Sequence, residues 1–416
     1  MSPSILNVIG GIRTIIFVFT LGLVFARYQQ GDSPFLVAVS RGIQANRGLF
    51  FLLIWYFFGV LFSGIRGGMG SLGEWKLHGF SILGLLVGLF LLGNDKFTRF
   101  AVYAAGLTML IHSISANNYV SVTGFDMREA LADLSGLLGH TDYWTKFSMI
   151  TILLVGQLVG EKNKIIKYVG LVIIIYFYKT ILLCGFATPV ALFIIAHVFL
   201  GWVGLKFSGK GFSKIFVRSS IALALFVGSV WGIYQISYLE NVSEYSSIQK
   251  RFKNMLEDPQ GGGYSRENSR FSLAEISLKT FKESPFLGCG GPYLDNEGSG
   301  GHQSIFDYLA IYGIFGGGGA FICFVVLCLY NGYKRCRNER DWKAFSSFAS
   351  VSIFVMVGLV NPGWLGGALY TCLFYGQPFK RPPRSQQLSL VKGNTPRSAF
   401  SLPLPYSPVT SSISIQ

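Results

Sequence analysis

The sequence predicts an all-α polytopic membrane protein of about 11–12 transmembrane helices, with one large external loop that contains an amphipathic helix. Three observations lead there. Of 416 residues, 51% are hydrophobic and only 13% are Asp, Glu, Lys or Arg, against about 25% charged in a soluble domain. Mean hydropathy is +0.47. The apolar residues form continuous runs near the length a bilayer demands, not the short alternating segments of a membrane β-barrel. A chain so rich in Phe, with 37 of them, is neither an ordinary cytosolic enzyme nor a disordered polypeptide.

In chain order, apolar runs mark spans near 5–25, 49–65, 77–92, 97–114, 147–160, 165–185, 188–205, 215–236, 306–330, 344–360 and 362–376. Arg13 interrupts the first. No basic segment precedes it, so a cleaved signal peptide is not expected. The short connections set the orientation, because Lys and Arg gather on the cytoplasmic side. Lys162, Lys164 and Lys167 lie in 161–167, and Lys206, Lys210, Lys214 and Arg218 in 206–218. Lys334, Arg335, Arg337, Arg340 and Lys343 lie in 331–343. The acidic segments 115–146 and 238–303 then fall outside. Alternation closes if 344–376 is a hairpin turning at Asn361-Pro362, since Pro cannot continue a hydrogen-bonded helix. The overall charge of +15 follows from this asymmetry, and no nucleic-acid partner is expected.

Four regions result: an N-terminal transmembrane bundle (1–237), a large external loop (238–305), C-terminal transmembrane helices (306–376) and a tail (377–416). The tail is basic, holds seven of the 14 prolines and many serines, and is expected to be cytoplasmic and disordered. No internal repeat is evident. Within the loop, Phe271, Ala274, Leu278 and Phe281 make a helical apolar stripe. Pro285 stops it, and Gly-rich turns follow. The six cysteines form no CxxC pair; most lie in or beside apolar runs, and a Cys184–Cys289 disulfide is an open pairing.

Candidate chemistry gathers outside the membrane. His302 stands where the loop meets the next span and is suited to proton transfer near neutral pH; the plain alternative is a loop histidine that caps a helix. Arg266 and Arg270 are spaced to share one helical face and bind phosphate through a planar fork; they could equally pair with Glu267 or Glu275, or touch anionic headgroups. Arg13, Lys179, His112 and His197 lie within apolar runs, where charge faces a cavity or snorkels. No P-loop, HExxH or GxSxG signature occurs.

His302-Gln303 is followed by nine residues and then by Gly313-Ile314-Phe315-Gly316. This resembles the H-[N/S/Q]-x9-G-x-x-G pattern of the bacterial O-antigen ligase family, which includes O-antigen and exopolysaccharide polymerases. Arg270, the amphipathic helix and Pro285-Phe286-Leu287-Gly288-Cys289-Gly290 look like that family's R…P-x-x-G-x-G stretch. Asn361-Pro362 fits, and Gly139-His140-Thr141-Asp142-Tyr143-Trp144 is faintly similar to its G…N-P-N segment. The match covers about 266–362. The resemblance implies a metal-independent membrane glycosyltransferase without cofactor, acting on the external face of the bacterial inner membrane. Its donor would be a glycan on undecaprenyl pyrophosphate, and its acceptor lipid A-core or another lipid-linked glycan. It implies that Arg270, then Arg266, meet the donor phosphates and that His302 orients or deprotonates the acceptor. The family's Ser-Arg pair is replaced here by Ala187-Thr188-Pro189, leaving Lys179 as a substitute cation. The competing classes are a transporter or flippase for a lipid-linked sugar, which predicts half-repeats and broken helices near the midplane, and a noncatalytic membrane scaffold.

Overall fold

The computed structural model describes residues 35–67, 84–92, 95–123, 140–182, 187–207, 270–290, 304–360 and 366–381. All regular structure among them is helical. The helices are α1 (Phe35–Ala45), α2 (Arg47–Gly67), α3 (84–92), α4 (Asp95–Thr123), α5 (His140–Val159), α6 (Lys164–Leu182), α7 (Ala187–Phe207), α8 (Arg270–Glu283), α9 (Ser304–Tyr312), α10 (Gly319–Glu339), α11 (Trp342–Val360) and α12 (Gly366–Phe374). A π-helical turn, Ile314–Gly318, joins α9 to α10.

Among the described residues, three helical stretches are long and apolar enough to cross a membrane: Asp95–Tyr119, Ile314–Glu339 and Trp342–Leu359. A fourth is added if Val39–Ala45 and Arg47–Ser63, bent by 97°, count as one span. The expected spans 5–25 and 215–236, and the Asn361-Pro362 turn, lie outside the described residues, as does Arg13. Of the expected 77–92, only the nine residues of α3 are described.

Helix α5 is the hub. Its Met149 and Ile152 join one apolar cluster with α2, α3, α7 and α9–α12, while Phe147, Ile150 and Leu154 join a second with α4, α6 and α7. Helix α11 lies closest to it, and small residues allow that. A Cβ on Gly156 would collide with Ser346, and Ser350 Oγ donates to the Met149 carbonyl at 3.3 Å. The outer surface is apolar. On α6, Ile165, Val169, Val172 and Ile175 are each more than half exposed, a stripe that water would penalise and lipid tails would cover.

The bundle has two distinct ends. At one, the first turn of α4 collects three basic segments: Arg99 pairs with Glu161 at 3.5 Å, and Asp95 pairs with Lys343 at 3.5 Å and Arg381 at 3.1 Å. The Asn163 backbone N–H, then the Tyr103 hydroxyl, hold the Glu161 carboxyl below its ordinary value of 4.5. At the other end lies the turn 285–290. Helix α2 separates them: Asn46, just before its start, binds Lys380, and Arg66, near its end, binds Leu287 and Gly288. Twenty-one residues give roughly 30 Å, about a hydrocarbon thickness.

The packed chain continues past the expected tail boundary at Gln377. Gln377 and Phe379 are each 1% exposed. Asn46 grips the Lys380 backbone from both sides, accepting its N–H at 2.7 Å and donating to its carbonyl at 3.0 Å. Asn331 donates to Pro378, and Arg335 and Ser347 to the Gln377 carbonyl. The strap has no apolar period to advertise it. Its order comes from backbone groups answered by buried polar side chains.

Candidate functional site

Helix α8 begins at Arg270 and ends before Pro285, as the stripe predicts. Ala274 and Ser277 are buried on its inner face, Leu278 and Phe281 half-buried, while Glu275, Lys279 and Lys282 face outward. Ser277 Oγ donates to the Asp307 carboxylate of α9, a contact in which both residues are buried. Asp307 sits in the first turn of α9, where the helix dipole favours negative charge. Further along both segments Pro285 meets Ile314. Helices α8 and α9 therefore run side by side in one direction and begin at the same end.

The turn 285–290 is built around the break between α9 and α10. A helix end leaves carbonyls without partners, and a helix start leaves N–H groups without them. Here the turn answers both. Cys289 N–H donates to Ala310 O at 2.9 Å and Gly290 N–H to Ile311 O at 3.1 Å. In return Ile314 N–H donates to Pro285 O at 2.9 Å and Phe315 N–H to Phe286 O at 2.8 Å. Gly288 (φ +71), Gly290 (φ +77) and Gly313 (φ +61) occupy the left-handed region that side chains disfavour. A Cβ on Gly288 would meet Ile311 O, and one on Gly313 would meet Phe286 O and Gly288 N. Close approach and backbone angle both call for glycine at these two positions.

Helix α2 crosses directly beneath. A Cβ on Gly59 would strike Gly316 O. Trp55 Nε1 donates to Phe315 O at 3.0 Å. Tyr56 packs on Tyr308 and Phe321, with hydroxyls 3.3 Å apart in the first pair. Arg66 Nη1 reaches the Leu287 and Gly288 carbonyls at 3.2 and 3.4 Å. Beside this crossing Phe286 and Phe315 stack at 5.8 Å, both more than half exposed. The result is a rigid polar turn, an exposed guanidinium and an open aromatic pair at one end of the bundle.

His302 and Arg266 lie outside the described residues. His302 stands two positions before Ser304, the first residue of α9, in the sequence. Arg270 opens α8 at the same end of the α8–α9 pair. Lys179 is exposed in the last turn of α6. The main packing partners of α6 are α4, α5 and α7, not the α8–α9 pair. Thr188-Pro189 falls within the first turn of α7. Cys289 is exposed on the turn; Cys184 lies outside the described residues. Among the described residues no three His, Cys, Asp or Glu side chains gather as a metal site requires. His197, read as a residue within a span, donates from Nδ1 to Phe193 O at 2.8 Å.

Sequence reasoning missed Arg66, Ser277 and Asp307. Arg66 carried one signal: a lone arginine closing an apolar run at the end predicted to face outside, against the positive-inside bias. Ser277 and Asp307 carried none, because their pairing is set only by how α8 lies on α9. Compared with known proteins, the chain matches no family model, no curated protein and no solved structure.

Proposed function

We propose that the chain is a membrane glycosyltransferase of the bacterial inner membrane, with loop 238–303 on the external face. In this reading it transfers a glycan from undecaprenyl pyrophosphate to lipid A-core or to a second lipid-linked glycan. The observation that carries the proposal is the docking of Pro285–Gly290 onto the Gly313 helix break. Two motifs that sequence alone could only place in order become one built unit. The helices entering it, α8 and α9, begin beside each other at Arg270 and just past His302.

The chemistry follows from residue type. A departing lipid pyrophosphate needs fixed positive charge where negative charge develops. Arg270 serves this, with Arg266 second; Arg66 is anchored to the turn at the far end of α8 from Arg270. Lys179 is a more distant cation without a fork. His302 orients or deprotonates the acceptor hydroxyl. The exposed Phe286–Phe315 pair offers apolar surface to the polyprenyl chain. The transporter reading is disfavoured by where the helix is broken. Gly313 precedes a candidate span, Ile314–Glu339, so the break sits at a span end, whereas a transporter's broken helices meet near the midplane.

The test uses purified protein with a lipid pyrophosphate-linked donor and reads transfer per folded molecule. His302→Ala is expected to lose about 100- to 10,000-fold in rate with normal membrane insertion. Arg270→Lys should also lose transfer, since the charge stays and the fork goes. Near wild-type turnover in His302→Ala overturns the assignment.

A further inference from the structure

Opposite the turn, at the basic end, a cleft with about 30 Å³ of free volume is lined by Asp95, Thr98, Gln157, Arg335, Lys343, Ser347, Tyr375 and Arg381 among others. We propose that this cleft binds the phosphate of an anionic, hydroxyl-bearing lipid headgroup of the phosphatidylglycerol type. The proposal is independent of glycan transfer and rests only on the helices spanning a bilayer.

Depth comes first. The cleft takes Asp95 from the start of one candidate span, Arg335 from the last turns of the second, and Lys343 from the start of the third. All three therefore meet the same plane here, and the ends of spanning helices lie at headgroup level. The floor is buried: Gln157 is 6% and Arg335 8% exposed. The rim is open, with the Lys343 and Arg381 side chains about one-third exposed and Asp95 more than half.

Charge comes second. Arg335, Lys343 and Arg381 line the cleft against Asp95 alone, with Glu339 alongside, paired to Arg335 at 3.2 Å and to Arg381 at 3.6 Å. One positive charge is left over.

Unanswered hydrogen bonds come third. Arg381 Nε is buried with Glu339 Oε1 beyond hydrogen-bond distance at 3.6 Å, and the Gln377 amide is buried with neither end bonded. Gln157 Oε1 and Glu339 Oε2 are buried acceptors without donors. Buried polar groups are nearly always satisfied; of these, Gln157 and Arg381 line the cleft itself, where an acceptor without a donor and a donor without an acceptor mark a missing partner. A bare anion would answer the donors only. A phosphate with a hydroxylated substituent answers both: its oxygens accept from Arg381 and Lys343, and a hydroxyl donates to Gln157 Oε1. The small free volume admits the leading atoms of such a group while the rest stays at the rim. Basic pockets between helix ends are known headgroup sites.

The experiment uses full-length protein in detergent. Thermal unfolding and native mass spectrometry are followed while phosphatidylglycerol, phosphatidylcholine, inorganic phosphate or glycerol phosphate is added. Phosphatidylglycerol should be retained and raise the unfolding temperature above the level reached with phosphatidylcholine. Lys343→Gln should weaken that binding about tenfold, the loss of one charge-assisted contact. Asp95→Asn removes the competing carboxylate and should strengthen it, a gain that misfolding cannot imitate. Equal effects of phosphatidylglycerol and phosphatidylcholine overturn the proposal. Full reproduction by inorganic phosphate or glycerol phosphate overturns the lipid as the source. Lys343→Gln and Asp95→Asn behaving alike overturns the cleft as the place.

Discussion

At the residue scale, two glycines separate geometric need from helix propensity. Gly313 has φ +61 and no room for a Cβ. Gly313→Ala should cost more than about 2 kcal/mol from the left-handed backbone and the clash together, read as a lower unfolding temperature. Gly48 sits within α2, where a Cβ would find Leu327 at an ordinary 3.9 Å. Gly48→Ala should be neutral or stabilising by up to about 1 kcal/mol. Glu161 supplies a pH dependence. Its folded-state carboxyl titrates below 4.5, so its contribution is complete above that pH. The contribution is lost as pH falls, because the unfolded chain takes up the proton first. Glu161→Gln should flatten the acid limb of a stability–pH curve while leaving the neutral region lower. A limb unchanged by the substitution would assign it to another carboxylate.

At the scale of elements, the strap 376–381 is part of the packed bundle. Truncation after Arg381 should leave stability within about 0.5 kcal/mol. Truncation after Tyr375 removes buried Phe379 and the partners of Asn46, Asn331 and Arg335, and should cost more than about 3 kcal/mol. Unfolding of the two truncations side by side checks this. What could be read in advance follows the same division. Helices α2, α4, α6, α7, α10 and α11 announce themselves as apolar runs, and α8 by its stripe and Pro285. The strap does not, because six residues with one aromatic have no period. The docking of Pro285–Gly290 was legible as two glycine-bearing motifs but not as one object: the hydrogen bonds joining them run between backbone atoms 21 to 30 positions apart, and backbone pairing leaves no residue code. Arg66, by contrast, is a side-chain feature and was there to be noticed.

At the scale of the molecule, α2 sets the distance between two chemically different ends. If that distance is a membrane's thickness, a membrane-impermeant thiol reagent should label Cys289 in intact cells and fail to reach a cysteine placed at exposed Asn338. Equal labelling would mean that both ends face one compartment. The same helix also imposes an order on biogenesis. Asn46 and Lys380, which close on each other at the basic end, stand 334 positions apart. At typical synthesis rates that is a delay of roughly 20 to 60 seconds, during which α2 can be inserted while its buried amide waits for a partner not yet made. A prematurely terminated chain never supplies it. The strap thus makes synthesis through residue 381 a condition for closing the bundle, and an unclosed bundle leaves the Asn46 amide without its Lys380 partner.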